Sequence, residues 1–188
     1  MNIFEKFEYH TKRAKTSKLL ECIFCLILIS ALFSCRLTAA PWWDLRFTDG
    51  SSTTAIEDML ESYILGASSM VYLANYSTPA SATKITTSMN NRDSAGMDVK
   101  YVGDGTEGNY TGLQAHIPYR LDPAGSPISH NKILIIDPNY SDRLMVTGSG
   151  NYTSGGWSSQ NSSWLTIIEP QIIDVYLNKF NLDRKSVV

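Results

Sequence analysis

A histidine, a lysine and a glycine-rich loop carry the chemistry that this sequence could perform. His130 and Lys132 stand two residues apart at the entry to an apolar run over 132–137, so in a strand their side chains point to the same face. An imidazole can act as a nucleophile or proton carrier near neutral pH, and an ammonium group attracts anionic oxygens. The pair therefore indicates a site for an anionic group, and a phosphoryl group suits it.

The glycine-rich loop follows the next predicted strand. Residues 148–151 read Gly-Ser-Gly-Asn, directly after a predicted strand over 143–148. An antiparallel hairpin with the strand over 132–137 would bring this loop close to the histidine and the lysine. Its Ser149 hydroxyl and Asn151 carboxamide can bind phosphoryl oxygens, and its glycines let the backbone approach closely.

These residues together resemble the signature of the phospholipase D superfamily, HxKxxxxD followed by GSxN. The sequence matches every fixed position, with His130, Lys132 and Asp137 in the first part and Ser149 and Asn151 in the second. The segments LANYS, MDVKYV and IPYRLD precede the motif in an order that is similar to the small single-motif members. The resemblance extends over residues 46–182 and implies an α/β fold, an αβα sandwich around a central mixed β-sheet.

The resemblance also implies a mechanism. His130 would attack phosphorus and form a phosphohistidine intermediate, which water then hydrolyses, while a second motif histidine protonates the leaving alcohol. Lys132, Ser149 and Asn151 would hold the phosphoryl oxygens. Asp137 would position the neighbouring strand and the lysine rather than react. No metal or cofactor is implied, because lysine and asparagine supply the electrophilic groups.

The second histidine is not supplied by a second motif in this chain. His10 lies near the N-terminus, and His116 has no lysine two residues later. We therefore expect a homodimer in which His130 and Lys132 of each subunit face their counterparts in one shared active site. The alternative is that the chain is the N-terminal half of a two-motif enzyme.

Two features depart from the family pattern. The link between Asp137 and Gly148 is several residues longer than usual, which a wider hairpin turn would accommodate. Many single-motif members also carry a glutamate that orients the catalytic histidine, and Ser163 stands at that place here. A hydroxyl stabilises a charged imidazole less than a carboxylate does. A catalytically weak binding module is therefore the alternative to a phosphodiesterase.

The N-terminal 40 residues differ in character from residues 41–188, which we expect to form the phosphodiesterase domain. A basic start with a net charge of +3 over residues 1–18 precedes an apolar run from Leu19 to Cys35. This pattern is typical of an export signal. The alternatives are an uncleaved signal anchor, a buried helix or a lipidated Cys35. The protein is therefore expected to be periplasmic, secreted or membrane-anchored, and its N-terminus is the part that could associate with a membrane.

The charge of the body bears on the substrate. Residues 41–188 hold ten Lys and Arg against fifteen Asp and Glu, so a broad basic stripe for nucleic-acid phosphates is absent from the sequence. This favours a phospholipid or another phosphodiester, with nucleic acid as the second candidate. Trp42, Trp43 and Trp157 could form a lipid-facing or base-stacking surface, but burial in the core is the favoured interpretation.

Hydrophobic periodicity predicts an alternation of helices and strands. A capping box from Thr54 to Glu57 opens the first helix, and Pro170 opens the last. The predicted helices cover 54–66, 79–92 and a final segment from 170, and the predicted strands cover 69–76, 97–102, 117–121, 132–137, 143–148 and 163–168, with a loop over 103–112.

Overall fold

The computed structural model describes residues 41–50, 54–76, 83–105, 112–122, 130–153, 155–156 and 159–185. The predicted signal segment, Cys35 and Trp157 lie outside these ranges. The described residues form strands β1 (Trp43–Asp49), β2 (Met70–Asn75), β3 (Asp98–Asp104), β4 (Tyr119–Asp122), β5 (Lys132–Ile136), β6 (Leu144–Gly148) and β7 (Asn161–Ile167), and helices α1 (Ala55–Gly66), α2 (Thr83–Ser94) and α3 (Pro170–Lys185).

The seven strands form one mixed sheet in the order β1-β7-β6-β5-β2-β3-β4. Strands β2, β3 and β4 run parallel, while β5 is antiparallel to β2 and to β6, and β7 is antiparallel to β6 and to β1. The predicted α/β class with a mixed sheet is confirmed. The central β5 is buried along its whole length, as expected for an apolar run covered on both faces.

Two apolar clusters lie on the two faces of the sheet. On one face, α1 and α2 pack through residues such as Leu60, Ile64 and Ile85 against Leu134 and other strand residues. On the other face, α3 packs through the set that its helical spacing predicted: Ile172, Ile173, Tyr176, Leu177 and Phe180. The alternating residues of β5 thus serve both layers of an αβα sandwich.

The first helix has the predicted bounds but not the predicted cap. Thr54 precedes the helix, yet its hydroxyl makes no capping hydrogen bond and donates instead to the Asp58 carboxylate at 2.7 Å. The capping-box prediction was therefore wrong, because Asp58 competes for the hydroxyl one turn along. Glu57 is largely buried, and this burial raises its pKa.

Strand β1 was missed by the sequence analysis. It occupies one edge of the sheet and pairs residue by residue with β7, from Trp43 opposite Ile167 to Asp49 opposite Asn161. The expected burial of Trp42 and Trp43 was also wrong, because both indoles are exposed. The reason is that β1 is an edge strand, and its apolar side chains are not buried by the described part of the chain.

Other boundaries differ by a few residues. Helix α2 continues to Ser94, two residues beyond its predicted end. Gly103 and Asp104, assigned to a loop, are the last residues of β3, and β7 begins at Asn161 rather than at 163. Among the helices that the structure describes, none combines the length and the apolar character needed to cross a membrane.

Candidate active site

The chemically interesting side chains cluster at the end of the sheet where β2 and β6 finish and β5 begins. On one side Lys132 pairs with Asn75 of β2. On the other side, Ile133 pairs with Thr147 of β6, and this register continued by one residue sets Lys132 opposite Gly148. The predicted antiparallel pairing of 132–137 with 143–148 is confirmed as β5 with β6. The glycine-rich loop after β6 therefore emerges beside the start of β5.

His130 lies just before β5 and is exposed. Its ring meets the Tyr76 ring edge-on, with centroids 4.9 Å apart and an interplanar angle of 63°. The backbone N–H of Tyr76 donates to the carbonyl oxygen of Asn131 at 2.8 Å, so the end of β2 is fixed against the segment that carries the imidazole. Tyr76 therefore restricts the position of the His130 ring while leaving the ring open to solvent.

Lys132 is buried, with 5% of the residue exposed. Its Nζ donates to the carbonyl oxygen of His130 at 3.3 Å and lies 5.7 Å from the centroid of the Tyr76 ring. Burial lowers the pKa of the ammonium group, because removal from water disfavours the charged form. A cation held in this way gains more from an incoming anion than a solvated surface lysine does.

The Gly-Ser-Gly-Asn loop is tied to β7. The Ser149 N–H donates to the carbonyl oxygen of Ser163 at 3.0 Å, and the Ser149 hydroxyl accepts from the Ser163 N–H at 3.0 Å. The buried Oδ1 of Asn151 has no hydrogen-bond partner among the described residues. A buried carboxamide oxygen without a partner carries a desolvation cost that a bound donor would relieve.

Both glycines of the loop are required by close packing. A Cβ at Gly148 would lie 2.1 Å from the carbonyl oxygen of Ser163, and one at Gly150 would lie 2.5 Å from Cζ2 of Trp164. Trp164 is fully buried and stacks edge-on against Tyr152, with centroids 5.4 Å apart. The loop thus lies directly on the end of β7 and the core, which limits how far it can move.

Asp137 lies away from this cluster, although the sequence motif groups it with His130. It follows the last residue of β5, at the end of the strand opposite to His130. Its buried carboxylate accepts hydrogen bonds of 2.7–3.0 Å from four donors in the segment that starts β2: the N–H groups of Ser68, Ser69 and Met70 and the Ser68 hydroxyl. These contacts hold β2 against β5, which is a positioning role.

The other residues that sequence analysis considered do not join the cluster. His116 is exposed and pairs with Asp93 of α2. Within the described ranges, no group of three or more His, Cys, Asp or Glu side chains could hold a metal ion. Sequence analysis assigned no role to Tyr76, although the LANYS segment that contains it signalled the end of β2 next to the motif.

The comparisons with known proteins concern the family and the fold. The family model described as "Cardiolipin synthase, PLD-like domain" matches residues 60–184, which is most of the chain. The chain belongs to the phospholipase D-like family. No sequence among curated proteins matches it significantly.

Several solved structures share its fold. Nuc, a phospholipase D family member from Salmonella typhimurium, has a TM-score of 0.60 and 22% identity, over 74% of this chain and 91% of Nuc. NucT from Helicobacter pylori also has a TM-score of 0.60, with 16% identity over 78% of this chain and 98% of NucT. Phosphatidylserine synthase from Haemophilus influenzae has a TM-score of 0.54 and 12% identity, over 73% of this chain and 36% of the synthase.

Ser163, where the sequence analysis expected a glutamate from the family pattern, lies against the Gly-Ser-Gly-Asn loop. Its backbone and hydroxyl both contact the Ser149 hydroxyl, at 3.0 and 3.4 Å. None of the ion pairs among the described residues includes His130. Within that part of the chain, the imidazole is therefore oriented by the Tyr76 ring rather than by a carboxylate.

Proposed function

We propose that the protein is a phosphodiester hydrolase with His130 as the nucleophile. The observation that carries the proposal is the buried Lys132, whose depressed pKa reflects the cost of its charge, beside the exposed imidazole of His130. The adjoining loop adds the Ser149 hydroxyl and the carboxamide of Asn151, whose Nδ2 group can donate hydrogen bonds to phosphoryl oxygens. A tetrahedral phosphoryl group needs this combination of one nucleophile, one cation and several hydrogen-bonding groups.

The proposed reaction has two steps. His130 attacks phosphorus, the bond from phosphorus to the leaving oxygen breaks, and that oxygen takes a proton from a second imidazole. A water molecule then attacks the phosphohistidine, gives its proton to the second imidazole and releases His130. Lys132 stabilises the negative charge on the non-bridging oxygens in both steps, so the proposed mechanism does not depend on a metal ion.

A second copy of the chain is proposed to supply the second imidazole. Neither His10 nor His116 carries the motif, and His116 is engaged with Asp93. His130 is exposed at the end of the sheet, so a two-fold axis near this end would let the two rings meet across one phosphorus atom. The proposed active unit is therefore a homodimer with one shared site.

The proposed substrate is a phospholipid, with a nucleic-acid phosphodiester as the alternative. The excess of acidic residues in the body disfavours long contacts with nucleic-acid phosphates. The family model that matches is named for cardiolipin synthase, which supports a lipid phosphodiester. The N-terminal 40 residues support export, so the proposed location is outside the cytoplasm or on a membrane.

The proposal is tested by turnover of bis-(p-nitrophenyl) phosphate, phosphatidylcholine, cardiolipin and single-stranded DNA. We expect hydrolysis of at least one substrate, at a rate unchanged by EDTA. When turnover of a radioactively labelled substrate is quenched, the protein should carry an acid-labile labelled phosphate. His130→Ala should abolish both turnover and labelling. His116→Ala is the matched control, because it removes an exposed histidine outside the cluster and should retain activity.

Three results would contradict the proposal: full turnover by His130→Ala, loss of activity on chelation, or label at another residue. Binding of the substrates without turnover would instead support a binding module. That second candidate is favoured by Ser163, whose hydroxyl contacts Ser149 and replaces a carboxylate of the family pattern.

A further inference from the structure

We propose that the edge strand β1 docks the protein on the surface of a neutral lipid bilayer. Trp43, Leu45 and Phe47 alternate along β1 and so point to one side of the strand, where they form an apolar stripe. They are 44%, 41% and 72% exposed. This surface goes beyond phosphodiester cleavage, because docking does not require the site to be active.

The surroundings of the apolar stripe match the bilayer interface in polarity. Trp42 and Ile168 are also exposed, and the Ile168 N–H donates to the carbonyl oxygen of Trp42 at 2.9 Å, which extends the apolar surface beyond the strand. Asp44 and Arg46 alternate with the stripe and pair with each other at 2.9 Å. The strand therefore carries compensated charge on one side and indole, phenyl and alkyl groups on the other, as interfacial segments do.

Charge favours a lipid over a nucleic acid as the partner of the apolar stripe. Single-stranded nucleic acid binds where aromatic side chains alternate with a positively charged groove. The only cation within β1 is Arg46, and it is neutralised by Asp44. Residues 41–188 carry fifteen acidic against ten basic side chains, which also argues for a zwitterionic rather than an anionic bilayer.

The apolar stripe also lies near the candidate active site. Phe47, its most exposed member, pairs with Ser163 of β7, and the Ser163 N–H donates to the Ser149 hydroxyl at 3.0 Å. Docking through the stripe would therefore hold the Gly-Ser-Gly-Asn loop beside the lipid headgroups.

Tryptophan fluorescence tests this proposal without requiring catalysis. In the protein carrying Trp157→Phe, Trp42 and Trp43 are the exposed indoles, because Trp164 is buried. We expect vesicles of dibrominated phosphatidylcholine to quench this fluorescence relative to unbrominated vesicles. When Leu45→Ser and Phe47→Ser are added, the vesicle concentration needed for the same quenching should rise at least about tenfold. Val175→Ser with Leu182→Ser, at exposed apolar positions of α3, is the matched control and should have no effect.

The other outcomes overturn the proposal and identify what replaces it. Equal quenching before and after the two stripe substitutions would show that β1 does not touch the bilayer. A lower molecular mass in the stripe variant without any vesicle quenching would identify a second copy as the partner. Loss of oligonucleotide binding in that variant, again without vesicle quenching, would identify nucleic acid. A catalytically dead protein that is still quenched would support docking while refuting the proposed hydrolase.

Discussion

The burial of Lys132 favours binding of an anionic ligand but lowers the stability of the folded protein. The side chain is almost fully buried, yet among the described residues its ammonium group makes one long hydrogen bond, to the carbonyl oxygen of His130. Burial lowers its pKa, so the folded state holds the proton less tightly than the unfolded state does. The charge therefore costs stability, and a bound anion would offset this cost.

Lys132→Met should separate these two effects. We expect hydrolysis to fall at least about a hundredfold, because the cation that stabilises the phosphoryl oxygens is lost. The free energy of unfolding at pH 7 should rise by about 0.5–2 kcal/mol, because an apolar side chain of similar length replaces a desolvated charge. Urea denaturation measured alongside the activity checks both results.

The pH dependence provides the control for Lys132→Met. Between the folded and the unfolded pKa of Lys132, the unfolded state binds more protons, so the stability of the wild type increases with pH across that window. The methionine variant lacks this increase, and its advantage should shrink as the pH approaches the ordinary pKa of lysine. An advantage that stays constant to pH 10 would mean that packing rather than charge explains the difference.

At the scale of single elements, the contact between the Gly-Ser-Gly-Asn loop and β7 leaves no room for added volume. Gly148→Ala would place a Cβ 2.1 Å from the Ser163 carbonyl oxygen. We expect a loss of about 1–3 kcal/mol in unfolding free energy and a fall of about a hundredfold in kcat, because the loop must shift by nearly an ångström.

Gly66→Ala is the matched control for Gly148→Ala. Gly66 ends α1 and has no atom within 4 Å of an added Cβ. The substitution should therefore leave kcat unchanged and stabilise the protein by about 0.4–1 kcal/mol through the unfolded state. Thermal melts and kinetics of both variants make the comparison, and equal effects at the two sites would refute the assigned role of the loop contact.

At the scale of the whole molecule, the shared-site proposal predicts how activity depends on the proportion of wild-type and variant subunits in a mixture. Light scattering should report a dimer at micromolar concentration. When wild type is mixed and re-equilibrated with His130→Ala, heterodimers lack one of the two imidazoles, so activity should fall with the square of the wild-type fraction. Mixing with His116→Ala should leave activity unchanged. A linear fall with His130→Ala would mean that each chain works alone.

Local patterns predicted most of the helices and strands, because the spacing of apolar residues along a segment largely determines its secondary structure. The helical spacing after Pro170 and the apolar run after His130 each specified an element that the structure confirms. The errors arose where distant residues decide the outcome. The partner of β1 is β7, more than a hundred residues later, so the residues next to β1 in sequence could not reveal the pairing that makes Trp43 to Phe47 a strand.

The site was only partly predictable for the same reason. Spacing brought His130, Lys132 and the loop together, because all three belong to one hairpin. Spacing could not assign Asp137, whose partners Ser68, Ser69 and Met70 lie 67–69 residues earlier. It likewise could not show that Tyr76, on a different strand, lies against the imidazole.

The pairing of β1 with β7 also has a consequence for the synthesis of the protein. A ribosome that adds roughly 5–20 residues per second needs about 6–24 seconds to proceed from residue 49 to residue 167. Throughout that time β1 has been synthesised but its partner strand has not. A short segment that contains tryptophan, leucine and phenylalanine therefore remains unpaired with β7 in the nascent chain. A chaperone that recognises extended apolar segments would therefore find its target here, and the last strand to be made completes the pairing of one of the first.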